Sequence, residues 1–116
     1  MLKIGIVLGS VREGRNGEAV ANWMYEFAKN RNDAEYEIVD LADYPLPLLG
    51  AKVDEADQAK AEATIQAWKD KMASFDGYIF ITPEYNHAIG GALKNATDYL
   101  NAEVNNKAAG FVGYGS

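Results

Sequence analysis

What most constrains this chain is an alternation: short apolar runs take turns with longer segments whose apolar residues return at helical spacing. LKIGIVLG at 2–9 is a nearly unbroken apolar run closed by Gly9, the pattern of a strand covered on both faces. YEIVDL at 36–41, GYIFIT at 77–82 and KAAGFVG at 107–113 read as three further strands. Between them, Val20, Trp23, Met24, Phe27 and Arg31 predict a helix that Asn16 or Gly17 can start. Ala61, Ile65, Trp68, Met72 and Phe75 share one stripe of a long amphipathic helix over 54–75, and Ile89, Leu93, Ala96 and Leu100 predict a third helix. In ADYPLPLLG at 42–50, Pro45 and Pro47 lack N–H donors and enforce an extended, irregular connection. Strand and helix in strict turn predict an α/β fold, a doubly wound parallel sheet with helices on both faces. In such a sheet ligands bind beyond the carboxyl ends of the strands.

Composition narrows the functions such a sheet can serve. With 116 residues, 48% of them hydrophobic and 24% charged, the chain is expected to form one domain over 1–116. The absence of cysteine excludes disulfides and a thiolate nucleophile, and a single His87 argues against a zinc site. A net charge of -6 and an isoelectric point near 4.7 oppose nucleic-acid binding, which needs a basic face. No leader pattern and no apolar run of about 20 residues is visible, so the expectation is a cytoplasmic protein without membrane association and with a small-molecule partner.

Three stretches follow the predicted strands and so converge on one edge of the sheet: GSVREGRN at 9–16, PEYNHAIGG at 83–91 and YGS at 114–116. In the first, Gly9 turns the chain out of the strand, and the first amides of the helix have no intrahelical partner. Ser10 adds a hydroxyl, Asn16 an amide, and Arg12 and Arg15 guanidinium groups that match phosphate oxygens in pairs. The stretch lacks both GxxxxGK[ST] and GxGxxG, so a terminal monophosphate suits it better than a triphosphate or a pyrophosphate; the alternative is ordinary solvated charge. In the second, Pro83, Glu84, Tyr85 and Asn86 leave the strand for a loop that either lays Tyr85 and open peptide groups against a planar heterocycle or serves as a helix start capped by Asn86. Nothing in sequence pairs with Glu84 as a base, and His87 reads as a surface or hydrogen-bonded residue.

GSVREGRNGEAVANW, DLADYPLPLL, PEYNHAIGGALKNATDYL and the final GYGS, in that order, resemble the NADPH-dependent FMN reductase family of flavodoxin-like proteins, which includes azoreductases and quinone or chromate reductases. The most specific parts are the GSxRxxR turn and PEYN followed by GALKNAxDxL. The resemblance implies a sheet order of 2-1-3-4-5, a noncovalent FMN, and a homodimer or homotetramer. It further implies hydride transfer from NADPH or NADH through the flavin to a small acceptor such as a quinone, azo compound, chromate or free flavin. Carried over by position, the phosphate turn falls on Ser10, Arg12, Arg15, Asn16 and Gly17, the ribityl and ring loop on Pro83, Glu84, Tyr85 and Asn86, and a third flavin loop on Tyr114, Gly115 and Ser116. No residue is assigned as a catalytic acid or base. Tyr85, and the 44–49 loop of a neighbouring subunit, are expected to wall the substrate space. Family members commonly carry proline where this chain has Gly90, which loosens the start of the third helix. Five strands and five helices are usual in the family, so this sequence reads as C-terminally incomplete, without the last strand and helix. A flavodoxin-type electron carrier and a flavin-free interaction module are the other two readings.

Overall fold

In the computed structural model, which describes residues 1–115, the apolar runs pair as parallel neighbours. Strand β1 (Leu2–Leu8) aligns with β2 (Ala34–Asp40) from Leu2 opposite Ala34 to Leu8 opposite Asp40. On its other side β1 meets β3 (Gly77–Tyr85), from Ile4 opposite Gly77 to Leu8 opposite Ile81. A two-residue strand β4 (Ala88–Ile89) folds back antiparallel on the end of β3, and β5 (Ala108–Tyr114) lies parallel to β3, from Gly77 opposite Ala108 to Pro83 opposite Tyr114. The four parallel strands therefore run β2-β1-β3-β5, the first four places of the expected order once the short hairpin strand is set aside. Along β5 most residues are exposed, with Phe111 at 68%.

Successive side chains of a strand point to opposite faces, and here both faces are covered. Helix α1 (Gly17–Ala28) lies on one face, where Ile6 and Leu8 of β1, Ile81 of β3 and Ala21 form an aliphatic core with Val20, Met24 and Tyr25 against it. Helices α2 (Gln58–Ala73) and α3 (Gly91–Asp98) cover the other face, where Val7, Val39, Trp68, Met72, Phe75, Tyr78, Phe80, Leu93 and Ala96 pack together. The two polar atoms in this second core are satisfied: Trp68 Nε1 donates to the carbonyl of Ala96 at 2.9 Å and Tyr78 Oη to that of Met72 at 2.7 Å.

The proline-containing connection is held by α3. Asn95 Nδ2 donates to the Pro47 carbonyl at 3.0 Å, Asn95 Oδ1 accepts from Leu49 N at 2.9 Å, and Tyr99 Oη donates to Pro47 O at 2.6 Å. The asparagine within GALKN is thus a clamp on the segment after β2, whose Leu41–Asp43 forms a single 3-10 turn.

Several sequence expectations are corrected. Trp23 and Phe27 do not face the core: they are 59% and 63% exposed and stack on one another at 6.1 Å. Helix α1 meets the sheet through small residues, buried Gly17, Ala21 and Ala28, which lets it approach closely, and Arg31 lies beyond its end. The helix expected over 54–75 is divided, with a 3-10 turn at Glu55–Asp57 before α2, although Trp68, Met72 and Phe75 do face the core as the stripe requires. The strand expected to stop at 82 continues through Pro83, Glu84 and Tyr85, and Ile89 belongs to the hairpin rather than to α3. Gly90 nevertheless holds φ -64° and ψ 148°, angles that a proline adopts, so the glycine leaves the start of α3 on a proline-compatible path.

At Gly9 the backbone is nearly in contact with its neighbours: an added Cβ would lie 2.8 Å from the carbonyl oxygen of Ile81 and 2.9 Å from Leu93. Because one obstacle is main chain of the central strand, Gly9→Ala is expected to cost about 1–3 kcal/mol in urea unfolding. A stability unchanged within error would show that β1 and β3 can separate there freely.

Candidate functional site

The exit from β1 sets the site. Gly9 N donates to Ile81 O at 3.0 Å, and the chain then turns through residues 10–16 into α1. Ser10 is only 2% exposed, its hydroxyl oxygen accepting a long contact of 3.4 Å from Tyr114 Oη, which brings the end of β5 against the turn. Gly17 sits beneath this pair: a Cβ there would be 2.6 Å from Ser10 Oγ and would strike Tyr114 Oη. A helix N-terminus leaves its first N–H groups without intrahelical acceptors. Here the Asn16 side chain does not cap them, and the first helical bonds come from Ala19 N and Val20 N to Asn16 O. The amides of Gly17 and Glu18 therefore remain available at a positive helix end.

Beside this end lies a cavity of about 560 Å³ lined by Arg12, Arg15, Asn16, Val20, Pro83, Glu84, Tyr85, Tyr114 and Gly115. Eight of the twelve residues expected at the site meet here, drawn from all three stretches. Ser10 and Gly17 lie just beneath, Asn86 sits at the tip of the β3–β4 hairpin, and Ser116 falls outside the described residues. Val20, which the sequence placed only in the helical pattern, also faces this space.

The hairpin has its own local logic. Tyr85 pairs with Ala88, and the two intervening residues, Asn86 and His87, hold φ of 51° and 67°. Positive φ at both central positions is the geometry of a two-residue turn that matches strand twist, and Asn and His tolerate it better than most residues. The carboxylate of Glu84 accepts from His87 N at 2.7 Å, so Glu84 acts as an acceptor that fixes the turn. Tyr85 remains 40% exposed at the cavity wall.

The two arginines of the first turn are not equivalent. Arg15 Nη1 donates to the Ser10 carbonyl at 2.6 Å and to Asp40 Oδ1 at 2.9 Å, while Nη2 donates to Asp40 Oδ2 at 2.6 Å and lies 3.7 Å from Glu18. Among the described residues, Arg12 has no hydrogen-bond or ion-pair partner on its guanidinium. Hydrogen bonding to Asp40 raises the Arg15 pKa against the opposing effect of burial. Burial disfavours the Asp40 charge, but the hydrogen bonds from Arg15 and Ala42 N, with the charge of Arg15, outweigh it and hold the carboxyl below its ordinary 3.8. Asp40 was missed in the sequence; its signal is an acid at the carboxyl end of the neighbouring strand, on the same sheet edge as the turn.

A second cavity of about 250 Å³, lined by Val11, Leu41, Ala42, Tyr44, Pro45, Leu46, Ala92 and Asn95, lies between the same turn and the clamped proline connection. Within one chain, Tyr44, Pro45 and Leu46 border this space, and none of residues 44–49 lines the Arg12 cavity.

With this geometry established, residues 2–116 match the family model described as NADPH-dependent FMN reductase. The chain belongs to that family. It is 38% identical over 121 residues to an NAD(P)H-dependent FMN reductase of Schizosaccharomyces pombe, covering 97% of this chain and 58% of the relative. It is 31% identical over 119 residues to an NAD(P)H:quinone oxidoreductase of Solanum tuberosum, covering 99% of this chain and 59% of that protein. Among solved structures, a flavoenzyme NAD(P)H:(acceptor) oxidoreductase of Paracoccus denitrificans superposes with a TM-score of 0.73 at 24% identity, over 97% of this chain and 60% of that one, a likeness of fold. This member of the FMN reductase family thus has a flavodoxin-like sheet and spans about three fifths of the length of the curated relatives it matches. No helix among its described residues is long and apolar enough to cross a membrane.

The depressed carboxyl of Asp40 has a measurable consequence. Between its folded and ordinary pKa values the unfolded chain binds the extra proton, so stability rises with pH across that window. The contribution of the pair is complete above the ordinary value of 3.8 and is lost as pH falls through the lower, folded value. Asp40→Asn is expected to lower stability at neutral pH and to flatten the acid limb of a urea-unfolding profile below about pH 4. An acid limb identical to that of the parent chain would contradict the assignment.

Proposed function

We propose that residues 1–116 act as an FMN-binding unit of an oxidoreductase that takes hydride from NADPH or NADH and passes it to a small acceptor. The observation that carries this reading is the convergence of three strand ends on one cavity, with an uncapped helix N-terminus and the unpartnered guanidinium of Arg12 together at one end. The fit to FMN is supported by the donor set. Arg12, Asn16 and the first amides of α1 supply donors suited to a phosphate, and the glycine at position 17 keeps the helix end close to Ser10 and Tyr114. At the other end Pro83, Tyr85 and Gly115 form a wall of backbone and aromatic surface suited to a flat ring system.

When bound, FMN would supply the hydride chemistry, which asks little acid–base machinery of the protein. The chain's own residues bind and orient. Arg12 and the α1 amides hold the anionic tail, Tyr85 shields one side, and the β3–β4 turn, fixed by Glu84, sets the height of that wall. The relative acting on quinones supports a quinone as acceptor, with azo compounds, chromate and free flavin as further candidates. Leu48 and Leu49, 69% and 51% exposed on the proline connection, support self-association of the whole protein into a dimer or tetramer.

Titration of the purified chain with FMN, followed by anaerobic addition of NADPH, tests the reading. Uptake of the flavin and rapid bleaching of its visible band are expected. Uptake without bleaching would favour an electron carrier, and a chain that stays colourless would favour a flavin-free module. Arg12→Ala is expected to weaken FMN binding about 10- to 100-fold and riboflavin binding much less, because the lost contact is charge-assisted and directed at phosphate. Equal losses for the two ligands would refute the phosphate assignment.

A further inference from the structure

We propose that Arg15 serves as a strut rather than a phosphate ligand, and that Asp40, which lies outside the lining of the Arg12 cavity, is a positioning residue for anion binding there. The inference rests on the reading of that cavity as a phosphate seat.

A guanidinium has five N–H groups. Both hydrogens of Arg15 Nη1 are committed, one to Ser10 O and one to Asp40 Oδ1, and Nη2 gives one to Asp40 Oδ2 while its other side faces Glu18 at 3.7 Å. Only the Nε hydrogen and the second Nη2 hydrogen remain without a hydrogen bond, so Arg15 cannot present its paired Nη fork to an incoming anion while the Asp40 pair holds. The Arg15 side chain is 13% exposed, so to turn toward a phosphate it must abandon a two-point ion pair and leave Asp40, 27% exposed, without its countercharge. Arg12, with no such commitments among the described residues, is the cation that can meet the anion without breaking anything.

What the strut joins is as informative as what it occupies. Ser10 O marks the first residue of the turn, Asp40 is the last residue of β2, and Arg15 sits one residue before Asn16, the N-cap position of α1. A single guanidinium therefore ties both ends of the turn to the neighbouring strand. Asp40 Oδ1 also accepts from Ala42 N at 2.9 Å, which fixes the segment lining the second cavity. With its charge neutralised by Asp40, Arg15 contributes geometry to the site, and the direct attraction falls to Arg12 and the helix end.

The two roles for Arg15 predict opposite effects of removing Asp40. If Arg15 were a ligand held in check by a competing carboxylate, Asp40→Asn would release it and tighten FMN binding. As a strut, Arg15 loses its anchor, the turn loosens, and binding weakens. Asp40→Asn is the suitable variant because an asparagine oxygen can still accept from Ala42 N, so the 3-10 turn after β2 is kept while the charge is removed. The expected result is a loss of about tenfold in FMN affinity for Asp40→Asn and for Arg15→Ala alike, with riboflavin affinity changed less than about twofold. Combining the two substitutions is expected to do no more harm than Arg15→Ala alone, since Asp40 acts on the turn through that guanidinium. Arg15→Lys is expected not to restore binding, because an ammonium cannot span the carbonyl and both carboxylate oxygens in one plane. In the ligand-free chain, amide hydrogen exchange in residues 11–18 is expected to accelerate in Asp40→Asn and Arg15→Ala.

Tighter FMN binding in Asp40→Asn, additive losses in the double variant, or unchanged exchange in the turn would each overturn the proposal. Should the parent chain bind FMN no better than riboflavin, the phosphate reading fails and the positioning role of Asp40 in anion binding falls with it. The strut itself is then judged by exchange: acceleration supports it and parental rates overturn it.

Discussion

At its two ends, Gly9 and Gly17, the turn after β1 leaves almost no free volume against β3 and the end of β5, and the architecture of the site follows from that. Gly9 lies against the main chain of β3, and Gly17 lies under Ser10 and the hydroxyl of Tyr114 at the end of β5. Two glycines eight residues apart thus let three strand ends and a helix N-terminus share one small region. Side chains larger than hydrogen at either point would hold the elements apart, and the helix end would no longer border the cavity.

Electrostatics at this place run against the character of the whole molecule. The chain carries a net charge of -6, yet the turn is suited to an anion. Screening confines the influence of distant exposed charges to about 8–10 Å at ordinary ionic strength, so nearby groups decide. Those groups are an uncapped helix end and Arg12, whereas Arg15 is neutralised by Asp40 and Glu84 is turned toward its own hairpin.

The alternation of strand and helix was legible because it is a local property, carried by the spacing of apolar residues within each segment. The convergence of the three stretches was legible too, since in a parallel sheet everything that follows a strand emerges at one edge. What escaped the sequence was non-local or ambiguous in period. Trp23 and Phe27 sit four residues apart, a spacing that fits an exposed stacked pair as well as a core stripe, and only the small residues Ala21 and Ala28 mark the face that meets the sheet. Pro83 looked like the end of a strand, but it occupies the last registered pair with Tyr114, near the end of β3, where a missing N–H costs little. The partner of Arg15 lies 25 residues away on another strand, and no pattern within the turn announces it.

The two sides of the sheet differ in kind: Trp68, Phe75, Tyr78 and Phe80 fill one, whereas Ile6, Leu8, Ile81 and Ala21 fill the other. A slip of β3 by a single residue against β1 exchanges the faces of its own side chains, driving Tyr78 and Phe80 under the thin, alanine-faced helix and leaving Ile79 and Ile81 to fill a space shaped for rings. The inequality of the two layers is therefore a lock on strand alignment, and it keeps the glycine of one strand opposite the carbonyl of the next with no dedicated contact for the purpose.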